Sequence, residues 1–145
     1  MSKSVRRVEA ALTAAGHQVR TMEMAVDTRT AELAASAAGC QLDQIAKSII
    51  FQAQDTGEIV LFITVGGNRV DASKASALAG QPLGKADADA VRSATGFAIG
   101  GVSPVGHLTP IRAWFDPRLL EFDEVWAAAG TPRHIFPIAP RTLLD

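Results

Sequence analysis

The sequence predicts one mixed α/β or α+β domain, with short helices packed around a sheet. Three observations carry this. The chain has 145 residues, of which 48% are hydrophobic, which is the size of one domain with enough apolar material for a core. Two neighbouring runs, 45–52 and 58–65, have the length and apolar character of strands, and short helical stretches with caps flank them. No repeat, low-complexity tract or linker divides the chain, so residues 1–145 are read as a single domain.

The elements follow in order. Residues 4–15 place Val5, Val8, Leu12 and Ala15 at helical spacing, with Arg6, Glu9 and Thr13 elsewhere, and Gly16 is a natural stop. Residues 19–24 alternate apolar and polar, as an edge strand does. Thr30 is the expected N-cap of an alanine-rich helix over 31–38, with Glu32 in its first turn and Gly39 at its end. Residues 45–52 read as a strand, Asp55-Thr56-Gly57 as a turn, and 58–65 as a second strand. The second strand is apolar on both faces and is therefore expected at the centre of the sheet. Gly66-Gly67-Asn68 turns the chain again, and Asp71 caps a helix through Lys74 to Leu78 that Gly80 closes. A further short helix is expected over 86–94, with Asp87 or Asp89 near its start. Residues 111–115 are strand-like, and Asp116-Pro117 turns them. Residues 125–129 fit a strand or a helix, and their alanines favour the helix on propensity. Residues 135–138 read as a short strand, and Pro140 opens a last helical turn.

Composition excludes several functions. The formal net charge is -1, so the broad basic footprint of a protein that grips long nucleic acid is missing. A small contact with the end of a nucleic acid remains compatible with this charge. No apolar run approaches the length of a membrane span, and the first residues lack the apolar core of a signal peptide. The single cysteine, Cys40, allows no internal disulfide and fits a reducing compartment. The expectation is a cytoplasmic protein.

Two features could carry chemistry. Residues 96–107 hold four glycines and Pro104, yet the residues between them are mostly apolar. Either this is a tight bend between core segments, or it is a shaped wall whose main-chain N–H groups can meet an anion or a carbonyl oxygen. The second feature is Lys47. On a strand it shares one face with Ile45, Ile49 and Phe51. Either its stem lies along apolar surface with the ammonium in water, or the ammonium stands at the mouth of a pocket, where it could hold a phosphate, a carboxylate or a polarised carbonyl. The histidines, His17, His107 and His134, form no metal-binding spacing with one another or with Cys40, and no metal is expected. Cys40 lies at a helix end without an orienting partner and reads as inert. Ser48, Ser73 and Ser103 sit in no nucleophile elbow. Asp71, Lys74 and Asp116 read as capping and turn residues.

The segments 44–51 (Gln-Ile-Ala-Lys-Ser-Ile-Ile-Phe) and 96–104 (Gly-Phe-Ala-Ile-Gly-Gly-Val-Ser-Pro) together resemble the YbaK/ProX family of aminoacyl-tRNA deacylases. These are relatives of the editing domain inserted in bacterial prolyl-tRNA synthetases. The resemblance extends over most of the chain after the first helix. It implies a single α/β domain with a mixed, strongly bent sheet. It also implies hydrolysis of the ester that joins a small non-cognate amino acid, such as Ala, Cys or Ser, to tRNA, often the tRNA for proline. The family lysine falls on Lys47, and the family glycine loop on Gly100, Gly101, Val102, Ser103 and Pro104.

On this resemblance, Lys47, Gly100 and Gly101 are the expected catalytic residues. Ile45, Ile49, Phe51, Val102, Ser103, Pro104 and His134 are the expected substrate contacts. The implied partner is the 3′ acceptor end of an aminoacyl-tRNA, with prolyl-tRNA synthetase as a second. No membrane, metal or organic cofactor is implied, and the chain is expected to act as a monomer. Three alternatives remain. One is a deacylase restricted to Cys-tRNA(Pro), with the substrate thiol as nucleophile. Another is a binding module that keeps the pocket without turnover. The third is a thiol- or serine-based hydrolase of small metabolites.

Overall fold

The computed structural model describes residues 3–16, 21–24, 28, 30–98, 101–109, 111–131 and 133–144. The expected helices form. α1 is Lys3–Ala14, with Val5, Val8 and Leu12 buried. α2 is Ala31–Ala38, and the Thr30 side chain accepts from the Leu33 N–H as its N-cap. α3 is Ala72–Ala79, capped by Asp71, and α4 is Ala88–Thr95, capped by Asp87. α5 is Pro140–Leu144. The strands are β1 Met22–Glu23, β2 Ala46–Ala53, β3 Ile59–Val65, β4 Leu83–Lys85, β5 Ala113–Phe115, β6 Val125–Ala128 and β7 His134–Ile138. Of the edge strand expected over 19–24, residues 19 and 20 lie outside the described residues, as does His17.

The strands make two sheets, ordered β4-β2-β3-β5 and β1-β7-β6. A parallel bridge from Ile45 to Trp126 joins them where β2 begins. β3 lies inside the larger sheet and is buried along its whole length, as its two apolar faces require. β3 and β5 are parallel and the other pairs antiparallel, so the sheet is mixed. One face of the larger sheet packs Leu61 and Ile63 against Val8 and Leu12 of α1 and Val91 of α4. The other face packs Val60 and Phe62 against Ala75 and Ala79 of α3. A third cluster seats Ala31, Ala34 and Ala35 of α2 on Ile45, Trp126 and Ile135.

One expectation is corrected. Residues 125–128 are a strand, not the helix that alanine propensity favours. Val125, Trp126 and Ala127 are all buried, and the segment pairs in register with β7 from Val125↔Ile138 to Ala128↔Ile135. A four-residue segment with three buried side chains gains more from a ladder than a helix of one turn could return. β4 was not visible in the sequence, because three residues give no period to read.

Candidate active site

Lys47 is held where β2 passes the turn after β3. Across the hairpin it pairs with Thr64, and its face carries Ile49 and Phe51 against the α3 cluster. Its ammonium donates to the carbonyl of Gly66 at 3.2 Å and also to that of Asn68. Both carbonyls belong to the Gly66-Gly67-Asn68 turn. That turn is pressed against the 3₁₀ segment Leu42–Gln44, so closely that a Cβ on Gly66 would strike the Leu42 carbonyl. The Gly67 N–H donates to Asp43 Oδ1 at 2.9 Å, and Arg118 pairs with Asp43 Oδ2 at 2.8 Å. Asp116 supports the same turn from the other side. Its Oδ2 accepts from Thr64 Oγ1 at 2.7 Å and from Asn68 Nδ2 at 3.3 Å. Burial alone would raise the Asp116 carboxyl, but hydrogen bonds from Thr64, the Arg118 and Val65 main chain and Asn68 hold it below its ordinary value.

The glycine loop is fixed by two other elements. Gly96 ends α4 with φ 80°. The Arg7 guanidinium from α1 donates to the Gly96 carbonyl at 2.7 Å and to the Gly106 carbonyl at 3.2 Å, and lies 4.9 Å from the centre of the Phe97 ring. One side chain thus ties both ends of the loop together. Gly101 is buried against the main chain of Thr131, between β6 and β7, where an added Cβ would lie 2.8 Å from Thr131 Cα and C. Its N–H donates to the Ala98 carbonyl at 3.1 Å. Ser103 is fully buried; its Oγ accepts from the Val105 N–H, and its carbonyl accepts from His107 Nε2 at 2.7 Å. Burial pushes the His107 imidazole below its usual value, while the Ser103 bond pulls it upward.

The strand and the loop meet. Ile45, Lys47, Ile49, Phe51 and Val102 all line one cavity of about 530 Å³. Its far wall comes from Ala31 and Ala34 of α2 and from Trp126, Ala127 and Ile135. Short alanine side chains on facing elements leave this space unfilled. The cavity also reaches both faces of β2, because β4 pairs with that strand only from Phe51 to Ala53. The main-chain N–H of Val102 makes no hydrogen bond to a described residue. Gly100 lies outside the described residues. Gly101, Ser103 and Pro104 flank Val102 but are not part of the lining. His134 sits on β7, where Nδ1 meets Thr131 Oγ1 at 2.5 Å and Nε2 lies 3.9 Å from Glu23 Oε2, and it too stands apart from the cavity.

Residues 25–145 match the aminoacyl-tRNA editing domain model. The chain belongs to that family. A crystal structure of a candidate trans-editing enzyme for prolyl tRNA synthetase is 48% identical, with a TM-score of 0.90 over 99% of this chain and 91% of that one. The structure of hypothetical protein APE2540 is 30% identical, with a TM-score of 0.85 over 95% of this chain and 91% of that one. The uncharacterized protein YwhH of Bacillus subtilis (strain 168) is 28% identical over 123 residues, which are 85% of this chain and 78% of that protein. The editing-domain match starts after α1, so the Arg7 strap comes from outside the matched segment.

Within this editing domain the side chains of the lining that carry polar atoms are Thr28, Thr30, Lys47, Ser48, Lys85 and, through its indole N–H, Trp126. Cys40 is not among them. Burial first of all raises its thiol, away from the thiolate a nucleophile needs. Among the described residues no group of three or more His, Cys, Asp and Glu side chains could hold a metal, and no helix is long and apolar enough to cross a membrane. Sequence reasoning missed the turn that seats Lys47 and the Arg7 strap. Both rest on main-chain carbonyls brought close by the fold, which carry no residue signature.

Proposed function

We propose that this editing domain deacylates mischarged tRNA in trans, hydrolysing the ester between a small non-cognate amino acid and the 3′ end of the tRNA. The observation that carries the reading is that Lys47 and Val102, from strand and loop, line one largely apolar cavity. An ammonium has three N–H donors. Two are directed to Gly66 and Asn68, which fixes the group in place and leaves one for a substrate oxygen. Lys47 thereby holds the terminal ribose or phosphate and aligns the ester. Because the Gly101 N–H is engaged within the loop, the donor for the carbonyl oxygen as it gains charge is the Val102 N–H. Water attacks an ester that is already activated, so no protein nucleophile is required. The neighbour's link to prolyl tRNA synthetase favours the tRNA for proline as the carrier.

The test is a panel of Ala-, Cys-, Ser- and Pro-tRNA, assayed with wild type and with Lys47→Ala. Release of one or more of the first three, with a rate at least roughly 100-fold lower in the variant, is expected from loss of a preorganised cation at the reacting ester. No release of any amino acid, or full activity in the variant, would refute the proposal.

A further inference from the structure

We propose that Ser48 sets the specificity of this cavity, its hydroxyl selecting acyl groups with a side-chain hydroxyl, the seryl and threonyl class, over apolar acyl groups of similar size. The inference rests on the deacylase reading above and names its substrate class. Ser48 lines the cavity, and its Oγ is buried with no hydrogen-bond partner among the described residues. The other hydroxyl and ammonium side chains of the lining are accounted for. Thr28 is already partnered, and Thr30 accepts from the Leu33 N–H as the cap of α2. Lys47 is bonded to two carbonyls, and Lys85 is exposed at the rim. Ser48 is therefore the uncommitted hydroxyl in the wall. A buried hydroxyl without a partner costs stability, so such a group invites explanation by what it binds.

The backbone places Ser48 for this role. Ile63, opposite Ser48, has its carbonyl bonded to the Asp116 N–H, and Leu61, opposite Ile50, donates its N–H to Arg112. Both point toward β5 and away from β2. In an antiparallel ladder this makes Ser48↔Ile63 a non-hydrogen-bonded pair, so the Ser48 main-chain N–H and C=O also turn to the outer edge of β2. β6 meets that edge at Ile45 and β4 only from Phe51 onward. Ser48 thus stands in the gap between them. No bond holds Oγ where it lies, so a rotation about χ1 onto a substrate breaks nothing. A hydroxyl both donates and accepts, and so matches another hydroxyl in either sense. The α-amino group is common to every aminoacyl ester and cannot change the ratio between them.

The experiment compares threonyl- with valyl-tRNA, which differ by a hydroxyl at nearly constant volume, and seryl- with alanyl-tRNA. Wild type, Ser48→Ala and Ser48→Thr are assayed. Non-hydrolysable 3′-amide adenosine analogues of the same four amino acids give a binding arm. The wild type is expected to favour the hydroxyl-bearing member of each pair by about tenfold, the equivalent of one net hydrogen bond. Ser48→Ala brings the ratio to near one, and Ser48→Thr retains it. Ser48→Ala also keeps or raises the melting temperature, because it removes an unpaired buried hydroxyl. Equal rates or affinities within each pair for the wild type, an unchanged ratio in Ser48→Ala, or a lower melting temperature there would each overturn the inference. If no ester is hydrolysed but the analogue preference is present and lost in Ser48→Ala, the deacylase reading fails and the role of Ser48 stands.

Discussion

Gly101→Ala gives the sharpest test of how the loop is held. Gly101 does not take a positive φ, so the substitution introduces no left-handed backbone strain. Its effect is contact alone. The new Cβ would lie 2.8 Å from Thr131 Cα and C and 3.0 Å from Thr131 N. Ordinary contacts of a Cβ begin at 3.4 Å, so the loop and the β6–β7 turn must separate by 3.4 − 2.8 = 0.6 Å. The obstructing atoms are main chain and cannot swing aside. Overpacking of this kind costs about 1–3 kcal/mol, which lowers the melting temperature of a domain this size by roughly 3–10 °C. The neighbouring Val102 moves with the loop, and on the proposed mechanism its N–H is then displaced from the substrate carbonyl. A shift approaching 1 Å at a reacting centre lowers the rate by roughly 100-fold. Differential scanning calorimetry and single-turnover deacylation measure the two effects separately. A variant that melts and turns over like wild type would refute the packing of the loop on Thr131. One that melts lower but keeps its rate would refute the part assigned to Val102.

Asp116→Ala removes the acceptor of Thr64 and Asn68, leaving the buried Thr64 hydroxyl unpaired. The expected loss is about 1–3 kcal/mol in chemical denaturation, together with a fall in kcat as the turn around Lys47 loosens. Because the Asp116 carboxyl is held below its ordinary value, its contribution is complete above the unfolded value and is lost as pH falls through the folded one; the variant should therefore be less acid-sensitive than wild type at low pH. His107 has the opposite charge type with the same direction of loss. Its folded value is lowered by burial, so below about pH 6.5 the unfolded chain takes up a proton that the native loop refuses, and stability falls with pH. Melting temperatures of wild type and His107→Gln between pH 7.5 and 5 check this, and parallel curves would contradict it.

Sequence reading reached the fold and part of the site for identifiable reasons. The helix caps Thr30, Asp71 and Asp87 act locally, within three residues of the groups they bond, so local sequence reveals them. The centrality of β3 was legible because burial on two faces demands an unbroken apolar run. Residues 125–128 were not, since alanine propensity is a weak bias and the pairing with β7 decides the outcome. Lys47 stood out as a charge on an apolar strand face, but its partners did not. They are the carbonyls of Gly66 and Asn68, 19 and 21 residues away, and a carbonyl has no residue identity to read. The same holds for Arg7, whose acceptors are the Gly96 and Gly106 carbonyls at separations of 89 and 99 residues. Ser48 sits in no nucleophile motif, so the sequence around it carries no signal. Its interest lies in what it fails to bond, which is visible only once its neighbours are placed.

The seat of Lys47 explains how a lysine can serve an apolar cavity. An ammonium partly withdrawn from water needs compensation, and a carboxylate partner would supply it at the cost of cancelling the charge on which the proposed reaction relies. Two neutral carbonyls solvate the ammonium while leaving its net charge intact. They also fix its position; in the proposed deacylation no reorganisation of this group would then be needed. The carboxylates of the region, Asp43 and Asp116, are kept one step back. They brace the turn through Gly67 and Asn68, and neither makes an ion pair with Lys47 among the described residues. The two glycines follow from the same requirement. The carbonyls can face Lys47 only if the turn lies flat on the Leu42–Gln44 segment, and at Gly66 the Leu42 carbonyl leaves no room for a side chain.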